Sequence, residues 1–244
     1  MSGRGEVRVY ADAAALGRAA AELFAEVVRA AVAESGRCGV LLAGGETPRR
    51  AYGLLAEEPL VGSVPWPQMH IFWGDERCLP AGDPRRNETM ARRALLDRVP
   101  VVPDQVHVID CAVAPERAAA DYAERMRRFF GERPSRFDLA LLGLGDDGHT
   151  ASLLPGSAAL AERHCWTAVT GRVEEPFVRV TLTAPLLNRS ETTVFLVSGQ
   201  GKAEMLRAAL AGELPSLPVH LIRPEGRLLW LVDREAASLS GAAA

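Results

Sequence analysis

Blocks of apolar and polar residues follow one another along the chain, and the spacing inside each block predicts an element. Val7 to Tyr10 is a short strand. Asp12 then opens a helix in which Leu16, Leu23, Phe24, Val27, Val28 and Ala31 share one face, and the chain turns at Ser35-Gly36. Val40 to Ala43 is an unbroken apolar run, the mark of a strand buried on both faces. It leads into Gly44-Gly45-Glu46-Thr47-Pro48, which predicts a helix with Thr47 as N-cap and Pro48 at its first position.

The unit recurs. Met69 to Trp73 is a strand followed by Gly74-Asp75-Glu76-Arg77, helices are predicted around Asn87 to Leu96 and from Pro115 to Phe130, and Phe137 to Leu142 is the next strand. Strands alternating with helices imply an α/β fold, a mainly parallel sheet flanked by helices on both faces. The last third is more mixed. Val178 to Leu182 alternates as a half-buried strand does, Thr193 to Val197 precedes a helix beginning near Gln200, and Leu228 to Val232 is the last strand, so an antiparallel part is expected toward the C-terminus. With no repeat or linker, residues 1–244 read as one domain, and the small polar ends, 1–5 and 238–244, are expected to fray.

Composition removes several classes of function. The 28 basic and 31 acidic residues leave a net charge of -3, the wrong footprint for a nucleic-acid backbone. Cys38, Cys78, Cys111 and Cys165 form no C-x-x-C pair and read as free thiols, mostly filling the core. No apolar run approaches the length of a membrane span, and the first residues lack the apolar stretch of a signal peptide. A soluble, cytoplasmic monomer is expected.

Ligands of an open parallel sheet bind beyond the carboxyl ends of its strands, so the residues just after each apolar run are the ones that carry chemistry. In Gly44-Gly45-Glu46-Thr47-Pro48 two glycines admit a close backbone approach and a helix start offers free N–H groups to a phosphate or carboxylate; an ordinary capped turn explains the same residues equally well. Asp75, Glu76 and Arg77, taken alone, read as a solvated loop. The segment Leu141 to Ser152 contains a literal G-x-G-x-x-G, but its variable positions are Asp146 and Asp147, Pro155-Gly156 interrupts any following helix, and Trp166 to Val169 leads to no ribose-binding acid. A dinucleotide site is therefore rejected.

His149 closes that turn with acids two and three residues before it, so Asp147 or Asp146 can orient the ring and leave a nitrogen free as a base. Ser152 and Ser157 lack a G-x-S-x-G elbow, which leaves direct attack by water as the simpler chemistry. Lys202 follows a strand, yet Leu196 and Ala203 stand where a Walker A loop needs Gly and Ser or Thr, so it reads as a lone cation for an anionic ligand or as a surface lysine. Arg179 is open to the same two readings.

Taken in order, LLAGGETP, FWGDER, the Asn87 and Met90 of RRNETMARRALL, LLGLGDDGHTASLLPG, RVTLT and SGQGKAEML resemble the 6-phosphogluconolactonase family, within the wider group that includes glucosamine-6-phosphate deaminase. The resemblance implies a Rossmann-like sheet, no metal or organic cofactor, and hydrolysis of a sugar-phosphate lactone, 6-phospho-D-glucono-1,5-lactone, to 6-phosphogluconate in the oxidative pentose phosphate pathway. It implies His149 as the base that activates water, with Asp147 supporting it. Arg77 is the candidate to stabilise the carbonyl oxygen, Asp75 lines the substrate site, and Arg179, Lys202, Gly44, Gly45 and Thr47 hold the phosphate. Two rivals are set against it: a deaminase-isomerase, which Thr150 to Pro155 disfavours by offering no amide or carboxylate, and a silent sugar-phosphate sensor, which has no need of Asp147 and His149.

Overall fold

Apolar runs that cannot face water on either side need a helical layer above and below them. The computed structural model describes residues 5–241 and supplies those layers. Its strands are β1 (Glu6–Tyr10), β2 (Cys38–Leu42), β3 (Met69–Trp73), β4 (Asp75–Arg77), β5 (Leu139–Leu142), β6 (Thr167–Gly171), β7 (Val178–Leu182), β8 (Thr192–Val197) and β9 (Arg227–Asp233). Six of them form an all-parallel sheet in the order β1-β9-β8-β5-β2-β3, and the other three form an antiparallel sheet in the order β4-β7-β6. The longer helices are α1 (Ala13–Ser35), α2 (Glu46–Leu55), α4 (Asn87–Ala94), α5 (Pro115–Phe130) and α7 (Ala203–Ala211); α3 (Leu60–Ser63), α6 (Ala184–Leu187) and α8 (Arg234–Ala237) are single turns.

Every residue of β2, β5 and β8 is buried. Leu139 and Leu141 join the core under α1 and α2, whereas Ala140 and Leu142 join the core under α5 and α7. Each large apolar side chain so enclosed contributes about 1.5–3 kcal/mol relative to exposure. Helix α1 begins where the Asp12 carboxylate accepts the N–H groups of Ala14 and Ala15 at 2.9 and 2.8 Å, and ends at Gly36, whose φ of 77° lets its N–H close on the Val32 carbonyl.

Several expectations change. Helix α2 starts at Glu46, not at Pro48: Gly45, with φ 103°, is the N-cap and Thr47 lies inside the first turn, because a glycine conformation open only to φ > 0 sets the chain direction earlier than a Thr cap would. Helix α4 ends at Ala94 and a 3-10 turn, Leu96–Arg98, follows. The antiparallel part is a separate sheet that recruits β4 from the first half of the chain, while β8 and β9 remain parallel. The alternation in Val178 to Leu182 is real, but its polar face does not meet water: Val180 and Leu182 pack under α5, and Thr181 on the other face accepts the Ser152 N–H at 3.1 Å. Of the ends expected to fray, 1–4 and 242–244 lie outside the described residues. Gly5 lies against the Leu228 backbone, and Ser240 closes a turn onto the Ala237 carbonyl at 3.0 Å.

Candidate active site

The β2–β5 ladder stops at Leu41 opposite Ala140, while β5 continues to Leu142 beside β8. The two strands therefore part toward their carboxyl ends. Connections leave this boundary in opposite directions, from β2 to β3 on one side and from β5 to β8 and β9 on the other, which is where an open α/β sheet opens a crevice. A pocket of ≈ 240 Å³ lies there, and Gly44, Gly45, Asp75, Arg77, His149, Arg179 and Lys202 all border it. Thr47 does not, and Asp147 stands behind His149.

After Leu142 the chain closes a tight loop in which the Gly145 N–H donates to the His149 carbonyl at 2.8 Å and the Gly148 N–H to the Gly145 carbonyl at 3.1 Å. The residues of the G-x-G-x-x-G run open no helix, so no helix N-terminus waits for a pyrophosphate. The glycine at 145 serves another purpose: a Cβ there would sit 2.0 Å from His149 Nδ1, in the space the ring occupies.

The adjacent acids separate. Asp147 Oδ1 accepts both the backbone N–H and the ring Nδ1 of His149, at 3.1 and 2.5 Å, and its Oδ2 accepts from Arg172. The short Nδ1 contact to a carboxylate requires the proton on Nδ1, so the lone pair of the neutral ring is the one on Nε2. Arg172 Nη2, 3.3 Å from Nδ1, then lies beside a second donor and acts on it only as a charge. Partial burial pushes the Asp147 carboxyl up, but the Arg172 guanidinium and His149 outweigh it and hold it well below the usual carboxylate range. Asp146 faces outward and binds Lys202 Nζ at 2.5 Å.

Across the pocket, Arg77 of β4 stands directly opposite Arg179 of β7 in the antiparallel ladder. Facing like charges destabilise a strand pair unless an anion sits between or beside them. Glu175, from the turn joining β6 to β7, holds Arg179 at 2.7–3.0 Å, and Arg179 is only 8% exposed, which overturns the exposed-strand reading. Arg77 Nη1 donates to the Arg85 carbonyl, while its Nε is buried without a partner.

Asp75 is buried and accepts from Ser152 Oγ and, at 3.1 Å, from Asn87 Nδ2. Asn87 in turn occupies the space a Cβ on Gly44 would take, at 1.9 Å from its Oδ1, so Gly44 serves this packing as well as the pocket wall. The segment read as a solvated loop is thus a buried strand. Its Glu76, on the opposite face, accepts the N–H groups of Asn87 and Glu88 at 2.8 Å and caps α4, whose own N-cap, Arg86, has no acceptor. Burial raises the Glu76 carboxyl despite those N–H donors.

Arg172, Glu175 and the pocket-lining Thr150, whose buried hydroxyl has no partner, are the residues that sequence reasoning missed. Nothing in Thr170-Gly171-Arg172-Val173-Glu174-Glu175 distinguishes them from a solvated charged turn; only the alternating strands on either side hint that the turn is a hairpin. The Glu46 carboxylate at this helix start pairs with Arg49 at 2.7 Å and does not border the pocket. Ser152 donates to Asp75 and not to the histidine, so His149 is not placed to activate it. Among the described residues no group of three or more His, Cys, Asp or Glu side chains is placed to hold a metal, and no helix is long and apolar enough to cross a membrane.

The geometry has close counterparts. A family model described as glucosamine-6-phosphate isomerases/6-phosphogluconolactonase matches residues 11–230. A 6-phosphogluconolactonase of Synechocystis sp. is 41% identical over 84% of this chain and 86% of that protein, and one of Nostoc sp. is 36% identical over 95% and 97%. The solved 6-phosphogluconolactonase from Trypanosoma cruzi superposes with a TM-score of 0.86 at 29% identity, covering 98% of this chain and 97% of that one.

Proposed function

Because the chain belongs to the family of glucosamine-6-phosphate isomerases and 6-phosphogluconolactonases, we propose that it hydrolyses 6-phospho-D-glucono-1,5-lactone to 6-phospho-D-gluconate, in the oxidative pentose phosphate pathway. One observation carries this reading: a single pocket presents a histidine with its Nε2 free and, on the facing wall, two arginines paired across a strand ladder. That combination suits a neutral, water-activating base acting on an anionic substrate.

In the proposed reaction His149 Nε2 takes a proton from water as the water oxygen bonds to the lactone carbonyl carbon. The tetrahedral intermediate collapses by breaking the bond to the ring oxygen, which receives that proton back from the imidazolium. Asp147 holds the tautomer and stabilises the imidazolium, and Arg172 keeps Asp147 ionised. A positioned base contributes on the order of 10²–10⁴-fold, enough for a reactive δ-lactone once it is oriented.

Arg77 is assigned to the developing oxyanion, supported by its place on the pocket wall and by a guanidinium that, among the described residues, pairs with no carboxylate. Arg179 and Lys202 are assigned to the phosphate, whose dianion displaces the single carboxylates of Glu175 and Asp146. Gly44 and Gly45 supply close backbone approach, and Asp75 orients a sugar hydroxyl while held by Ser152 and Asn87. The free state of all four cysteines supports a cytoplasmic setting.

The test is hydrolysis of freshly generated 6-phosphogluconolactone above its spontaneous rate, with glucosamine 6-phosphate in parallel. Lactone acceleration is expected, and His149→Ala should lower kcat by on the order of 10²-fold or more with little change in KM. Lactone left at its spontaneous rate, or turnover of the amino sugar instead, overturns the reading.

A further inference from the structure

Two of the four cysteines are not scattered filler. Cys78 follows directly on β4 and its N–H continues the ladder to the Val178 carbonyl at 2.9 Å. Cys111 lies in the segment that enters α5. The fold brings the two sulfurs, 33 residues apart in the chain, to 3.0 Å, with the Cys111 thiol donating to Cys78 Sγ. A disulfide bond is about 2.03–2.05 Å long, so closure needs a movement on the order of 1 Å.

Both residues are half-buried and border an open surface pocket of ≈ 450 Å³, shared with Arg172 and Glu175, where small reagents have access. The donated hydrogen bond stabilises the Cys78 thiolate and lowers its pKa, helped by the Arg86 guanidinium and opposed by burial and by the Glu76 and Glu116 carboxylates. The same bond raises Cys111. The lowered thiol favours Cys78 as the attacking sulfur, and the 3.0 Å contact puts Cys111 within its reach. Nothing in the lactonase mechanism employs either.

We propose that Cys78 and Cys111 form a redox-active dithiol that a hydroperoxide closes to a disulfide, with Cys78 attacking and Cys111 resolving. The Cys78 thiolate attacks one peroxide oxygen, the O–O bond breaks, and the other oxygen leaves as hydroxide or alkoxide, giving a Cys78 sulfenic acid. The Cys111 sulfur then displaces its hydroxyl, forming the S–S bond and releasing water once the Cys111 proton has transferred. The two thiols lose two electrons in all and the peroxide gains them. The product straps the end of β4, one residue beyond Arg77, to the segment entering α5.

Native protein is treated with a small excess of hydrogen peroxide, alkylated, digested without reduction and mapped by mass spectrometry. The expected product is a Cys78–Cys111 cross-linked peptide pair lighter by two hydrogens than its parts, reversed by dithiothreitol, with buried Cys38 and exposed Cys165 still alkylated. The strap closes a loop of 33 residues and should raise Tm by roughly 5 °C or more. In Cys111→Ser a dimedone adduct should accumulate on Cys78, and Cys78→Ser should leave Cys111 unlabelled. Recovery of both thiols as alkylated peptides, or of Cys78 as a sulfinate without cross-link, overturns the proposal; dimedone on Cys111 in Cys78→Ser overturns the order of attack. These readouts do not involve lactone hydrolysis, so they stand or fall apart from the proposed activity.

Discussion

At one end of the pocket Asp147 is shared between Arg172, the His149 ring and the His149 backbone, and its side chain is 32% exposed. Elsewhere on the pocket wall Arg179 and Lys202 each lean on one carboxylate, and the acid facing Lys202, Asp146, is 84% exposed. Both sets are ion pairs, yet they have different uses. The first is a closed arrangement in which the acid is pinned by three donors and cannot leave, so it fixes a tautomer. In the second the acids sit on a hairpin turn and a solvated loop, and in the proposed reaction the substrate phosphate displaces them. Neighbouring aspartates, of one chemical type, thus fall on opposite sides of the division between holding a base and yielding to a ligand.

The largest effect expected from breaking this contrast comes from Asp147→Asn. The amide can offer Nδ1 a donor and favour the wrong tautomer, so kcat should fall on the order of 10²-fold in steady-state assays, with KM within a few-fold of its starting value. A KM effect alone would move Asp147 to the binding set. Next, Arg179→Ala should raise KM roughly 10-fold or more and spare kcat, since it removes a charge-assisted contact made equally in ground and transition states; a fall in kcat at unchanged KM would contradict the phosphate assignment.

Smaller and opposite in sign, Glu175→Gln and Asp146→Asn should lower KM by about 2- to 5-fold, the second less than the first because its pair is exposed and screened. If Glu175→Gln instead raises KM, the acid orients Arg179 and does not compete with substrate.

A last effect, on stability and not on catalysis, concerns histidines that are paired with no carboxylate. His70 and His107 share a hydrogen bond of 3.0 Å among Phe72 and Phe129. Burial, helped by His70 and Arg125, takes His107 down to about 4, and burial with Arg37 lowers His70. Below the ordinary value of 6.5 the unfolded chain binds protons that the folded one refuses, so this pair costs stability as pH falls from about 6.5 toward 4 and is neutral above that window. Urea midpoints should drop over that interval, and less so in His107→Phe; parallel curves for the two proteins would remove the pair from the account.

Strand and helix positions were legible because hydrophobic period is local: Val40 to Ala43 and Phe137 to Leu142 announce buried strands whatever surrounds them. The glycine-rich turn before His149 was legible because turn chemistry is local, whereas that Gly145 leaves room for the ring emerged only from the fold. Misreadings gathered where burial came from a distant segment. Asp75-Glu76-Arg77 looks like a solvated loop because three charges in a row ordinarily seek water. Here Asn87, Ser152 and the start of α4 provide the partners that water would otherwise supply.

The sequence alone determined that this is an α/β chain with its chemistry at the ends of parallel strands, and that an acid and a histidine stand together in one turn. Tertiary structure decided which acid meets the ring, that Arg172 reaches Asp147 and Glu175 reaches Arg179, and that Arg77 faces Arg179. The reason is physical: periodicity and turn chemistry are fixed by neighbours in the chain, whereas ion pairs and sulfur contacts depend on the register between segments that meet only after folding.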